Sequence, residues 1–107
     1  MNLIYHVVPA ADWSRYEGQA NYEASSLLTE GFIHLSTKEQ VDGVLSRYYQ
    51  NIPNLLLLHV DADKLTHELK YEVATNNDRF PHLYGPLNKD AIVQVEPINA
   101  KNTESQQ

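Results

Sequence analysis

Three imidazoles carry the strongest chemical signal in the chain. His6 stands in Ile4-Tyr5-His6-Val7, and His34 in Glu30-Gly31-Phe32-Ile33-His34-Leu35-Ser36-Thr37. His82 lies in the stretch Arg79-Phe80-Pro81-His82-Leu83-Tyr84-Gly85-Pro86-Leu87. A neutral imidazole donates from one ring nitrogen and accepts at the other, and it changes charge near neutral pH, so these groups suit proton transfer, ligand hydrogen bonding or metal binding. The third stretch adds a cation, Arg79, and two aromatics, Phe80 and Tyr84. Pro81 and Pro86 fix their own φ and bias Phe80 and Gly85 toward extended backbone, while Gly85 permits a close approach that a Cβ would obstruct. The stretch therefore reads as a stiff loop between two strands, presenting polar tips.

Each of these residues has a structural reading beside the chemical one. Any single strand histidine can be a satisfied core group, and the case for function rests on His6, His34 and His82 occurring together. Tyr84 can sit at the core edge with its hydroxyl on backbone, and Arg79 can pair with Asp78 or Glu72 at the surface, where such pairs contribute little. His59, inside a leucine-rich strand, reads as structural, and His67, in a polar turn, as solvated. No metal is expected, because no His-x-His, His-x-x-x-His or Glu-x-x-His spacing occurs. Ser36 lacks a Gly-x-Ser-x-Gly elbow, and Ser36-Thr37 reads first as strand exit and helix cap. Glycines at 18, 31, 43 and 85 make no phosphate loop.

The elements that must position these groups follow from periodicity and punctuation. Leu3 to Val8 is a short β-branched run stopped by Pro9, and period two puts His6 on the face of Ile4 and Val8. A helix is expected from Ala10 to Glu17, with Trp13 and Tyr16 on one face and Gly18 as its stop. Ser25 to Leu28 suits a single turn, and Phe32 to Leu35 a second strand that sets His34 beside Phe32 and Ser36. Thr37-Lys38-Glu39-Gln40 has the capping-box spacing, and Val41, Val44, Leu45 and Tyr48 make the buried stripe of a second helix ending before Asn51. Leu55 to Val60 reads as a central strand covered on both faces, Asp61 to Leu65 as a turn, Leu69 to Val73 as a half-exposed strand and Ala91 to Val95 as the last.

Composition bounds the setting. The chain has 107 residues, the size of one domain, here expected over residues 1–98 with a polar, disordered tail at 99–107. Fourteen acidic residues stand against eight Lys and Arg, a net charge of −6, so the basic footprint of a general nucleic-acid binder is missing. There is no cysteine, hence no disulfide or thiol nucleophile, which fits a cytoplasmic protein. The longest aliphatic run, Leu55 to Leu58, is far short of the ~20 residues that span a bilayer, and no membrane association is expected.

Through Ile4-Tyr5-His6, Leu28 to Thr37 and Arg79 to Leu87, over about residues 2–98, the chain resembles the small bacterial family named domain of unknown function 952. The resemblance implies an α+β fold, a compact split β-sheet with two main helices, like a minimal ADP-ribosyltransferase. In active members of that fold the cleft holds NAD. It implies that His6 hydrogen-bonds the ribose, that His34 and Ser36 line the cleft beside Thr37 and His82, and that Tyr84 or Phe80 packs on a ring. Arg79 would neutralise a phosphate. His6, His34 and Tyr84 are then the candidate catalytic residues, with NAD as substrate and no tightly bound cofactor. Cleavage of the nicotinamide–ribose bond also calls for a carboxylate near the ribose. Glu72, Asp78, Asp90 and Glu96 are candidates, none unambiguously placed. The alternative is a non-catalytic module binding a nucleotide or small anionic metabolite in the same cleft.

Overall fold

The computed structural model describes residues 1–98; the tail expected over 99–107 lies outside the described residues. The elements run β1 (Leu3–Pro9), α1 (Ala10–Ser14), β2 (Asn21–Tyr22), α2 (Ser25–Glu30), β3 (Ile33–His34), α3 (Val41–Tyr48), β4 (Leu55–Asp61), β5 (Glu68–Val73), β6 (Arg79–Tyr84), β7 (Leu87–Asn88) and β8 (Ile92–Ile98). This is an α+β fold with few helices and antiparallel sheets of order β1-β4-β8, β2-β7 and β3-β6-β5. No helix among the described residues is long and apolar enough to cross a membrane.

Strand β4 lies between β1 and β8, with side chains buried on both faces, as its unbroken aliphatic run demands. Leu58 and Val60 join Ile4, Val8, Ile33, Leu35, Leu83 and Leu87 in the main core. Leu55 and Leu57 face the other way with Tyr5, Val7 and Leu45 of α3. Burying a side chain of this kind contributes about 1.5–3 kcal/mol, so the two layers, more than helix propensity, hold the short helices in place. The capping box at Thr37 and Gln40 forms, and the Thr37 amide donates to Gln40 Oε1 at 2.9 Å.

Several expectations change: Tyr48, expected in the buried stripe of the second helix, is exposed, and the last strand runs from Ile92 to Ile98 rather than from Ala91 to Val95. The first helix stops at Ser14, three residues early, where the Ser14 hydroxyl donates to the Ala11 carbonyl and competes with helical continuation. The stretch from Arg79 is no loop: Arg79–Tyr84 is the middle strand of its sheet. Pro81 fits there because a residue's N–H and C=O face the same neighbour in an antiparallel ladder. The Pro81 carbonyl accepts from the Leu35 amide at 2.9 Å, so the missing N–H falls on the β3 side, past the end of that two-residue strand.

Sheets β1-β4-β8 and β3-β6-β5 meet at a single bridge. Tyr5 and Ser36 exchange backbone hydrogen bonds of 2.8 and 2.7 Å, and beyond them β1 and the β3 segment part. The opening created by that split is where the candidate site lies.

Candidate functional site

His6 closes the apex of the split. Its Nδ1 lies 2.7 Å from the His34 carbonyl oxygen, which can only accept, so Nδ1 carries the proton. Nε2 is then bare and accepts the Tyr22 hydroxyl proton at 2.9 Å. Burial drives the imidazole down to about 4, against the opposing pull of the backbone hydrogen bond to His34. It is therefore neutral near neutral pH, with both ring nitrogens engaged by the protein. Burial likewise raises the Tyr22 hydroxyl above its ordinary range. Trp13 and Tyr16 pack their rings on Tyr22 at 5.5 and 5.4 Å, so the expected aromatic face of the first helix serves to hold this tyrosine.

Beside this apex opens a cleft of about 880 Å³, within the range of small-molecule sites. Its wall includes His6, Tyr22, His34, Ser36 and Phe80. Tyr16 and Tyr49 add further rings, and burial, followed by the nearby Asp12 carboxylate, raises the Tyr49 hydroxyl. Arg15 is the one Lys or Arg among the lining residues, against Asp12, Glu23 and Glu30. His34 Nε2 sits 3.0 Å from Glu30 Oε1, and both side chains are about half exposed, so this imidazole–carboxylate pair is open to a ligand. Gly31, at φ 90°, caps α2 in a left-handed conformation and turns the chain so that Glu30 comes back over His34.

A second cluster stands on the face of β6 that also carries Phe80. His82 stacks on Phe32 with centroids 4.1 Å apart and meets the His34 ring near-perpendicularly at 5.2 Å. Glu72 Oε1 accepts from His82 Nδ1 at 2.8 Å and from the Tyr84 hydroxyl at 2.6 Å. Those bonds, the Tyr84 hydroxyl first, hold the Glu72 carboxyl below its usual range, and the same contact raises Tyr84. The tilted Phe32 and Tyr84 rings, 5.3 Å apart, complete the group.

The model of a family described as protein of unknown function (DUF952) matches residues 7–95. The chain belongs to the DUF952 family. Two solved structures of another protein, CC0527 from Caulobacter crescentus, resemble this DUF952 chain. The crystal structure is 35% identical, with a TM-score of 0.83 over 91% of this chain and 86% of that one. The solution NMR structure is also 35% identical, with a TM-score of 0.79 over 92% and 86%. Both belong to a structural-genomics target, and their names state no activity. Nothing among the curated proteins matches.

In this DUF952 chain, then, His6, His34, Ser36 and Phe80 share the cleft wall, while His82 and Tyr84 lie outside it with Glu72. Tyr84 does not line the cleft. His34, whose carbonyl holds His6 and whose ring touches His82, joins the two groups. Thr37 is engaged in the helix cap, and Arg79 is exposed outside the cleft with its guanidinium 3.5 Å from the Tyr71 carbonyl. Of the candidate carboxylates, Asp78 bonds the Arg79 amide, Asp90 bonds Asn88 and Glu96 bonds His59; Glu72 is the one that meets a candidate site imidazole, His82. No group of three or more His, Asp or Glu that could hold a metal occurs among the described residues. Sequence reasoning missed Tyr22, which no periodicity marks in a two-residue strand, and Glu30, whose approach to His34 depends on the Gly31 turn.

Proposed function

We propose that this chain binds NAD in the cleft at the sheet split and cleaves its nicotinamide–ribose bond, as an ADP-ribosyltransferase-like or glycohydrolase-like enzyme. The observation that carries the reading is the open His34–Glu30 pair in a tyrosine-walled cleft of about 880 Å³. The bond breaks through an oxocarbenium-like state, which a nearby carboxylate stabilises, and Glu30 supplies the carboxylate that sequence left unplaced. The tyrosines offer surfaces for a heteroaromatic ring, and Arg15 a charge for the diphosphate. The parting of β1 from the β3 segment supports comparison with the split sheet of the ADP-ribosyltransferase fold.

A second reading has one observation in its favour. His6, the imidazole expected on the ribose, already has both ring nitrogens satisfied by His34 and Tyr22, which suits a supporting role in a non-catalytic nucleotide-binding module. Three carboxylates against one arginine oppose anionic groups in either reading, so diphosphate binding rests on Arg15 as the one basic side chain of the lining. Incubating the purified chain with NAD and quantifying free nicotinamide separates the readings. The enzyme reading expects release that falls at least tenfold in Glu30→Gln; binding without release over long incubation replaces it with the module.

A further inference from the structure

Among the described residues, His82 has the one buried side-chain nitrogen or oxygen without a hydrogen-bond partner, its Nε2, and the residue is only 4% exposed. Glu72 accepts twice at the same oxygen, from His82 and Tyr84, which an ionised carboxylate does, so His82 Nδ1 carries the ring proton. In the neutral ring Nε2 is then a bare lone pair without a partner. A buried acceptor without a donor is rare in folded proteins because it loses its bonds to water and recovers nothing, and such an atom calls for a role.

Its place in the fold supplies one. His82 pairs across the sheet with His34, and Phe80 stands two residues away on the same face of β6; both of these neighbours line the cleft. His82 is thus set beside cleft-lining residues without itself lining the cleft. The ring beside it, His34, is half exposed and tethered by the half-exposed Glu30, a kind of pair that holds weakly. The titratable and charged groups around His82 are Glu72 and Lys70 from β5, Tyr84 from its own strand, and His34 from β3 with Glu30 behind it.

We infer that His82 Nε2 is the proton acceptor of this cleft, with Glu72 and Tyr84 orienting the ring and the His34 side chain moving aside to expose it. The inference rests on the NAD-cleaving reading and assigns its base. As a water oxygen bonds to C1′ of the ribose, the C1′–N bond breaks and its electron pair leaves with nicotinamide, which departs neutral. The water proton passes to His82 Nε2 and from there to solvent. A carboxylate on one imidazole nitrogen with the other left free is the arrangement that fixes a general base in its working tautomer. Glu72 is here a positioning residue, since it touches the imidazole and not the reacting atoms.

The test combines ¹⁵N-histidine NMR with nicotinamide release measured across pH. Wild type is expected to show His82 with its proton on Nδ1 and a bare Nε2, and Glu72→Gln a mixture of tautomers with an altered pH–rate profile. His82→Gln is expected to slow release by about 100-fold, the lower end for loss of a general base, with little change in KM. Should that variant fail to fold, Glu72→Gln carries the test through its tautomer and pH profile. A wild-type proton on Nε2, or release undiminished in His82→Gln, overturns this inference and leaves NAD cleavage standing. A wild type that releases no nicotinamide defeats the cleavage reading itself.

Discussion

Acid should weaken this fold in part through one buried residue, and that share can be sized. His6 is held neutral by burial, its value pushed from 6.5 to about 4. Because the folded value lies below the unfolded one, the unfolded chain binds more protons between them. The His6 contribution to stability is therefore complete above about pH 6.5, is lost as pH falls toward 4, and changes no further below that. The gap of about 2.5 units at about 1.36 kcal/mol each sets a total near 3 kcal/mol, of which about 2 kcal/mol is gone by pH 5. That is a sizeable part of the ~5–15 kcal/mol typical of a domain. Urea denaturation at pH 7 and pH 5 measures it, with His6→Asn as the control: Asn can still donate to the His34 carbonyl but does not titrate. Carboxylates contribute to both proteins, so the difference isolates the imidazole. Wild type should lose about 2 kcal/mol more than the variant. An equal loss in the two would refute the buried, neutral imidazole and the hydrogen-bonding scheme built on it.

Other substitutions probe the surrounding contacts. Tyr22→Phe removes the one donor to His6 Nε2 and should cost about 1–3 kcal/mol in urea denaturation, the usual price of stranding a buried polar group. Tyr84→Phe deletes the hydroxyl that contributes most to depressing the Glu72 carboxyl, so Glu72 should titrate at higher pH by ¹³C NMR; an unmoved titration would mean that bond is absent in solution. Gly85→Ala places a Cβ 2.4 Å from the His67 ring, whose Nδ1 is bonded to the Pro86 carbonyl. It should destabilise by about 1–3 kcal/mol as an overpacked site, and His67→Ala should recover part of that loss; additive effects would disprove the contact.

The sequence made the core layers readable because their signals are local and redundant. Leu55 to Leu58 has the unbroken apolarity of a strand buried on both faces, period two put His6 with Ile4 and Val8, and Thr37 with Gln40 announced the helix start. Gly85 was legible as a close approach, though not that His67 is the group that approaches. The strand Arg79–Tyr84 was hidden by Pro81, whose tolerance depends on a neighbour ending one residue sooner, a fact of the sheet and not of the segment. Asn76 and Asn77, both at positive φ, form the turn that could have marked a hairpin from β5 into it. At the site, residue types were legible and partnerships were not. Nothing local says that Glu72 rather than Asp78 meets His82, which the register of β5 on β6 decides, or that Tyr22 closes on His6, which depends on how two separate sheets pack.

The proposed cleft is tested most directly by titrating NAD into ¹⁵N- and ¹³C-labelled protein and mapping the resonances that move. The account predicts perturbations concentrated on Arg15, Tyr22, His34, Ser36 and Phe80, with His82 responding beside them and the Arg79 side chain unaffected. Saturating NAD that moves no resonance, or moves only residues away from that wall, would contradict it.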